Sequence, residues 1–388
     1  MSVSRRGFVR TVGLGATGVL STPFIVGRGS EAAAFEPEPQ QVQYDDGIIR
    51  ISSNENARGP NQKAIEAIRA AMSPRMGRGY PPDHTDALFE AIADVRGVQR
   101  ENVIVGTGSG SILAGATRAF CSAEKPLVTA APTYGTPEST ANRIGAGVRS
   151  IPVDGSLGLD LEAMAAAAGG AGMVFLCNPN NPTGTAHSGA AVEAFVRRVK
   201  RESPETAILV DEAYMDYAYD PAVRTVIPLT LELPGVFVTR SMSKAHGMAG
   251  LRVGYAIGQP ETVRKISAAW ELGSMNTLSA TAATASLRDA AHIDEERREN
   301  ARIRDLTLQA FRDLGYDAAD SHGNFVFVDL GRPAAEFRDA CLEQGVRVGR
   351  DFPPLERTHC RISLGTMAEM EASVRVFRRV LLGSTAGA

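Results

Sequence analysis

Ala207-Ile208-Leu209-Val210-Asp211-Glu212-Ala213-Tyr214 and, a short way on, Val236-Phe237-Val238-Thr239-Arg240-Ser241-Met242-Ser243-Lys244 decide how this chain folds. Each begins as a short apolar run without strict polar alternation, the pattern of a strand buried on both faces of a sheet. Each then passes directly into chemistry: a carboxylate and a phenol in the first, two serines and an amine in the second. In open α/β sheets ligands bind beyond the carboxyl ends of the strands. Asp211 and Lys244 are therefore predicted to face one crevice.

Outward from this pair the same alternation continues. Further strand-like runs lie at Val103–Val105, Leu127–Ala130, Met173–Cys177 and Val253–Ile257, and helical periods at Ile112–Phe120, Leu159–Ala168, Ala190–Arg201 and Thr262–Leu272. The fold class that follows is α/β, a large domain with a mostly parallel sheet covered by helices on both faces. Past residue 275 the pattern changes to a long polar-faced helix from about Ser279 to Leu314, then Asn324–Leu330, a helix at Ala334–Gln344, Arg361–Leu364, and a final helix at Met367–Leu382. That mixture reads as a smaller α+β domain. The expected division is an N-terminal arm over 35–59, a large domain over 60–275 and a small one over 276–388, with the arm contributing to the small domain.

Residues 1–34 read as an address. Ser4-Arg5-Arg6-Gly7-Phe8-Val9-Arg10 precedes a glycine-softened apolar stretch from Thr11 to Val26, and Ala32-Ala33-Ala34 offers small residues for cleavage. The run resembles a twin-arginine export signal, and the stretch is too short and glycine-rich for a membrane span. The expected location is periplasmic or otherwise extracytoplasmic, reached through the twin-arginine export machinery, with no stable membrane span after cleavage. Because that route carries folded proteins, a cofactor inserted inside the cell can travel already bound.

At 388 residues the chain has room for two cores. Its net charge of −3, with four arginines and one glutamate among the first 34 residues, leaves the remainder more acidic still. No electrostatic case for a nucleic-acid or anionic-membrane partner arises. Cys121, Cys177, Cys341 and Cys360 contain no CxxC pair and the six histidines no HExxH, so neither a metal site nor a disulfide framework is expected.

Around the crevice the residue types converge on one kind of ligand. Lys244 supplies an amine that can form a Schiff base with an aldehyde, provided it is desolvated or crowded by a cation such as Arg252. Asp211 supplies a carboxylate that can keep a ring nitrogen protonated, and Tyr214 a hydroxyl for a phenolic oxygen. Gly106-Thr107-Gly108-Ser109-Gly110-Ser111 follows a strand and opens a helix, a place where backbone N–H groups bind phosphate. It lacks the lysine of a P-loop and the third glycine of GxGxxG. Asn178-Pro179-Asn180-Asn181-Pro182-Thr183-Gly184 is a rigid turn that can aim Asn181 at the same ligand. An aldehyde, a protonated pyridine, a phenolic oxygen and a phosphate together describe pyridoxal 5'-phosphate (PLP).

With those motifs in order, the chain from the arm onward resembles the fold-type-I, class I/II PLP-dependent aminotransferases, nearest to their histidinol-phosphate aminotransferase branch. Asn54-Glu55-Asn56, Tyr80-Pro81, Gly108-Ser109, Pro132-Thr133-Tyr134, the Asn-Pro-Thr-Gly turn, Asp211-Glu212-Ala213-Tyr214, Ser243-Lys244 and Leu251-Arg252-Val253-Gly254-Tyr255 carry the likeness. The resemblance implies that Lys244, Asp211 and Tyr214 are catalytic and that Tyr134 stacks on the cofactor ring. Asn181 and Tyr214 would then meet the phenolic oxygen, and Gly108, Ser109, Gly110, Ser241, Ser243 and Arg252 the phosphate. It also implies a homodimer with shared active sites, Tyr80 reaching over from the second subunit. Arg361, in Cys360-Arg361-Ile362-Ser363-Leu364-Gly365, matches the arginine that grips the substrate α-carboxylate, with Asn324, Arg350 and Asn56 as further substrate contacts.

The departures narrow the function. Arg58 stands where the branch has a tyrosine that helps hold substrate phosphate, Gly110-Ser111 replaces an Asp-Glu in the phosphate cup, and Met242, His246 and Met248 replace residues more often Phe, Phe and Leu. His246 reads as packing. The expected activity is transfer of an α-amino group between an amino acid and a 2-oxo acid. A decarboxylase, lyase, racemase or oxidase on the same fold, or histidinol-phosphate aminotransferase itself, remains the alternative.

Overall fold

The structure, a computed structural model, describes residues 47–78 and 85–383, which fall within a single unit, Asp45–Ala388. The twin-arginine segment, the start of the arm and Tyr80 lie outside the described residues. Eleven strands occur among the described residues: β1 Ile49–Ile51, β2 Val103–Thr107, β3 Leu127–Ala131, β4 Val148–Pro152, β5 Met173–Cys177, β6 Ala207–Asp211, β7 Val236–Ser241, β8 Val253–Gly258, β9 Phe325–Asp329, β10 Val346–Val348 and β11 His359–Ser363.

Seven of these form one sheet in the order β2-β8-β7-β6-β5-β3-β4, and every strand but β8 runs in one direction. The α/β class read from the sequence is thus the observed one. Side chains alternate between two cores. Met173, Phe175, Leu209 and Phe237 face one, and Val174, Leu176, Ile208, Val210 and Val238 the other. Both faces are sealed, which is why these strands could afford no polar positions until their carboxyl ends. Each fully buried Phe or Leu contributes about 1.5–3 kcal/mol by leaving water.

That topology positions the site. The carboxyl ends of β2, β3, β5, β6 and β7 open onto the same edge of the sheet, and antiparallel β8 starts there, with Val253 opposite Thr107. Ser109, Tyr134, Asn181, Asp211 and Lys244 follow the first five ends, and Arg252 immediately precedes β8. A second core, built on antiparallel β9–β11 and the helix Met367–Gly383, takes in Ile51 of β1, which pairs in parallel with β10.

Several elements differ from the sequence reading. The long helix expected from Ser279 to Leu314 is two helices, Thr277–Leu287 and Ala290–Arg312. The break is at Asp289, whose carboxylate accepts from Asn61 Nδ2 at 2.8 Å and Lys63 Nζ at 2.9 Å. The first of the two is rich in small residues, and its Ala280, Ala282, Ala283 and Leu287 share the large-sheet core with Ala64 and Leu88. Packing therefore groups that helix with the large sheet, although it follows the boundary expected at 275/276. The helix expected over Thr262–Leu272 spans Pro260–Ala269 instead, because Leu272 turns its carbonyl to the backbone N–H and hydroxyl of Thr107, at 3.2 and 3.1 Å. Short β1, β4 and β10 carried too few apolar residues to stand out. Among the described residues no helix is long and apolar enough to cross a membrane, and no group of His, Cys, Asp and Glu is placed to hold a metal.

One buried ion pair fixes the working edge. Arg240, 4% exposed on β7, donates from Nε to Glu212 at 2.9 Å and from Nη1 to Asp216 at 2.9 Å, and Glu212 also accepts from Val226 N at 2.8 Å and Thr225 Oγ1 at 2.7 Å. Removing the cation strands two carboxylates. Arg240→Met is expected to lower unfolding free energy by about 3–5 kcal/mol, read by denaturant unfolding, whereas Arg240→Met/Glu212→Gln, which leaves Asp216 as the one stranded charge and keeps an amide oxygen to accept, restores part of the loss.

Candidate active site

A cleft of about 980 Å³ opens at the edge where the strands end. Lys244 lies in the loop after β7, and its Nζ donates to the backbone oxygen of Asn54 at 3.0 Å. Burial pushes this amine down to about 8, with Arg361 and Arg252 acting in the same sense against Glu55 and Asp211. A neutral amine, the nucleophilic form, is thereby within reach of neutral pH.

Asp211 ends β6, 2% exposed, with Thr239 Oγ1 donating to it at 2.7 Å. Burial pushes the carboxyl up to about 6, which a cation brought against it would reverse. Tyr214 is buried beside it, edge-on to Phe325 with ring centres 5.1 Å apart. Its hydroxyl oxygen accepts from Asn54 Nδ2 at 3.0 Å and Asn181 Nδ2 at 3.4 Å, and burial keeps the phenol protonated well above the usual range. Tyr134 lines the same cleft.

At one end of the cleft Ser109 and Gly110 open the helix Ser109–Phe120, and Ser241, Ser243 and Arg252 close round them. Close packing explains the glycines. A Cβ on Gly108 would lie 2.3 Å from Arg252 Nη2, and one on Gly254 would lie 2.2 Å from the backbone nitrogen of Ser109. Gly108 thus does not line the cleft; it makes room for the guanidinium that does. Hydroxyls, helix-terminal N–H groups and one guanidinium make a donor set for a phosphate.

Arg361, on β11 and 6% exposed, lines the same cleft. Its Nη1 donates to Asn181 Oδ1 at 2.8 Å and its Nη2 to Ser52 O at 2.7 Å, while its Nε is buried without a partner. Among the described residues no carboxylate pairs with it, and burial pulls the guanidinium down to about 10, with Arg350 adding to the effect. Arg350 lines the cleft as well. The two guanidinium carbons lie 4.7 and 4.6 Å from the centre of the Phe352 ring, which both contact.

The structure does not bring Asn56 or Asn324 into the cleft. Asn56 Nδ2 donates to Glu296 at 2.9 Å and to Ala245 O at 3.3 Å, and Asn324 Nδ2 donates to the carbonyls of Asn54 and Glu55 at 3.1 and 3.0 Å. Both brace the segment that forms the cleft wall. His246 is buried with Ser286 Oγ 2.8 Å from Nδ1, and burial drops it to about 4, so it serves as packing. The sequence reading gave no role to Ser52, Glu55, Arg338 or Asp351, which line the cleft. The polar run Ser52-Ser53-Asn54-Glu55 directly after β1 was the available signal for the first two.

Comparison with known proteins decides the identity of this arrangement. The family model for aminotransferase class I and II matches residues 46–377. The chain belongs to that family. It is 34% identical over 349 residues to the histidinol-phosphate aminotransferase of Moorella thermoacetica, covering 88% of each chain. It is 35% identical over 345 residues to histidinol-phosphate aminotransferase 2 of Methylococcus capsulatus, covering 86% of this chain and 91% of the relative. The crystal structure of histidinol-phosphate aminotransferase from Sinorhizobium meliloti in complex with pyridoxal-5'-phosphate superposes with a TM-score of 0.79 at 28% identity, over 87% of this chain and 92% of that one.

This aminotransferase uses PLP, and its cleft fits that group. Asp211, a buried carboxylate in need of a cation, suits a protonated ring nitrogen, and the Ser109–Arg252 donor set suits the phosphate. PLP supplies an aldehyde and an electron-withdrawing ring. The chain supplies the Lys244 amine of depressed basicity, a protonated phenol on Tyr214 and a buried carboxylate on Asp211. Membership of this family selects amino-group transfer from the reactions the sequence left open.

The amine is held against its own solvation. A lysine whose folded-state pKa lies below its unfolded value destabilises the fold below about pH 8, and the effect fades as pH rises toward 10.5. Lys244→Met is therefore expected to raise the apoprotein's melting temperature by several degrees at pH 7 and by less at pH 9.5, while abolishing turnover. Differential scanning calorimetry at both pH values checks it.

Proposed function

We propose that the amino donor is an amino acid with a free α-carboxylate, transferring its nitrogen to a 2-oxo acid. The observation that carries this reading is Arg361: a buried guanidinium in the same cleft as Lys244, with one N–H unpartnered and no carboxylate on it among the described residues. A planar carboxylate completes such a fork. Arg350, against the Phe352 ring in the same cleft, is available for a second polar or anionic group.

Against a phosphorylated donor stands Arg58. Its Nε donates to Glu296 at 2.9 Å, its Nη2 bonds the same carboxylate and its Nη1 lies 3.4 Å from Glu295, so it is neutralised away from the cleft. The names of the relatives favour the second reading, histidinol phosphate as donor, and the same assay separates the two. With the purified holoenzyme and one donor at a time, an amino acid is expected to release one equivalent of its 2-oxo acid per site. A large preference for histidinol phosphate overturns the proposal. Arg361→Gln is expected to lower kcat/KM for carboxylate-bearing donors by about a hundredfold or more.

The proposal extends to location and assembly. The Ser4-Arg5-Arg6-Gly7-Phe8-Val9-Arg10 run supports export by the twin-arginine route, and export separates the enzyme from phosphorylated biosynthetic intermediates held in the cytoplasm. The motif Tyr80-Pro81 supports a homodimer in which Tyr80 completes the neighbouring site. In cells with that export route, Arg5→Lys/Arg6→Lys is expected to leave the protein in the cytoplasm, as fractionation and immunoblotting would show.

A further inference from the structure

Asn54 is 1% exposed and adopts φ of +54°, a conformation that non-glycine residues seldom take. Such strain persists only where surroundings over-determine it, and it concentrates at functional sites. Here all four polar groups of the residue are engaged. Its backbone N–H donates to Ser363 Oγ at 2.8 Å, and that hydroxyl donates to Asn54 Oδ1 at 2.6 Å. Its Nδ2 donates to the Tyr214 hydroxyl oxygen at 3.0 Å. Its carbonyl accepts from Lys244 Nζ at 3.0 Å and from Asn324 Nδ2 at 3.1 Å.

These partners come from four separate parts of the chain. Ser363 ends the strand that carries Arg361, Tyr214 follows β6, Lys244 follows β7, and Asn324 immediately precedes β9. Two amide donors, from Asn54 and Asn181, fill the acceptor side of the Tyr214 oxygen. The phenol's own proton is then directed away from both, toward the cleft. The carbonyl gives the Lys244 amine a resting place on the cleft wall.

Resting on the proposed amino transfer, we propose that Asn54 is a positioning residue. Its carbonyl holds the Lys244 amine whenever the amine is not bonded to cofactor, and its side-chain amide sets the direction in which Tyr214 donates. The strained backbone keeps both groups turned to one point. Because Ser363 closes on the same side chain, the register of Arg361 is tied to the register of Lys244.

The test pairs Asn54→Gly, which tolerates the backbone angle and keeps a carbonyl but loses the amide, with Asn54→Ala, which also strains the backbone. In holoenzyme with wild-type donors, Asn54→Gly is expected to lower kcat by about ten- to a hundredfold, the loss expected of misplaced catalytic groups, with donor KM changed by less than about twofold. The second readout needs no turnover: acylation of Lys244 in the apoprotein against pH, quantified by peptide mapping. A carbonyl acceptor favours the charged amine, so loosening it moves the labelling midpoint to lower pH in both variants. Wild-type kcat together with a wild-type midpoint in Asn54→Gly overturns the inference, whatever happens to melting temperature. A wild type that transfers no amino group overturns the proposed donor chemistry instead, and the labelling midpoint still decides the role of Asn54.

Discussion

Two cations, Lys244 and Arg361, are buried in one cleft; burial makes both harder to keep charged, and Arg361 adds to the effect at Lys244. The rest of the site follows from that burial of charge. The amine answers it by giving up its proton near neutral pH, which makes it a nucleophile. A guanidinium loses its proton far less readily. It answers by waiting for an anion, and this is why a substrate carboxylate suits it. Glu55 and Asp211 moderate the repulsion at Lys244 without cancelling it, since Asp211 is itself disfavoured as an anion by burial.

Holding such groups requires a scaffold that cannot relax around them. The large sheet supplies it by gathering five parallel strand ends and the start of β8 on one edge, sealed above and below by apolar cores. Where neighbouring segments approach within van der Waals distance, glycine is the residue that fits, as at Gly108 under Arg252 and Gly254 against Ser109. Arg240 pairs with both Glu212 and Asp216 just behind the functional pair Asp211 and Tyr214, so neither of those two carboxylates is left to meet a cation at the edge.

Much of this was legible in the sequence, because strands buried on both faces advertise themselves as unbroken apolar runs and the chemistry begins where the runs stop. Asp211, Lys244 and Arg252 could be placed on one edge from β6, β7 and β8 alone. What escaped was whatever depends on pairing across long separations. β1 and β10 are three residues each and are stable as strands only through one another. Asn56 and Asn324 carried plausible chemistry, yet the fold gives their amides to Glu296 and to backbone carbonyls, which no local pattern encodes. The division of the Ser279–Leu314 stretch likewise depends on Asn61 and Lys63, more than two hundred residues earlier, drawing Asp289 aside.

The costly features of the molecule are not scattered. A left-handed asparagine, a lysine held below its ordinary basicity and an arginine with an unpartnered N–H meet in one cleft, and hydrogen bonds through Asn54, Asn181 and Ser363 connect them. The lysine and the arginine, and the buried Asp211 beside them, impose a penalty on the empty fold that a ligand can relieve: an anion on Arg361, a cation on Asp211, a covalent partner on Lys244. The relief is shared. An anion beside Arg361 would also offset the effect of that guanidinium on the Lys244 amine. Arg361, Tyr214 and Lys244 are in this way linked both by charge and by the hydrogen bonds that run through Asn181 and Asn54.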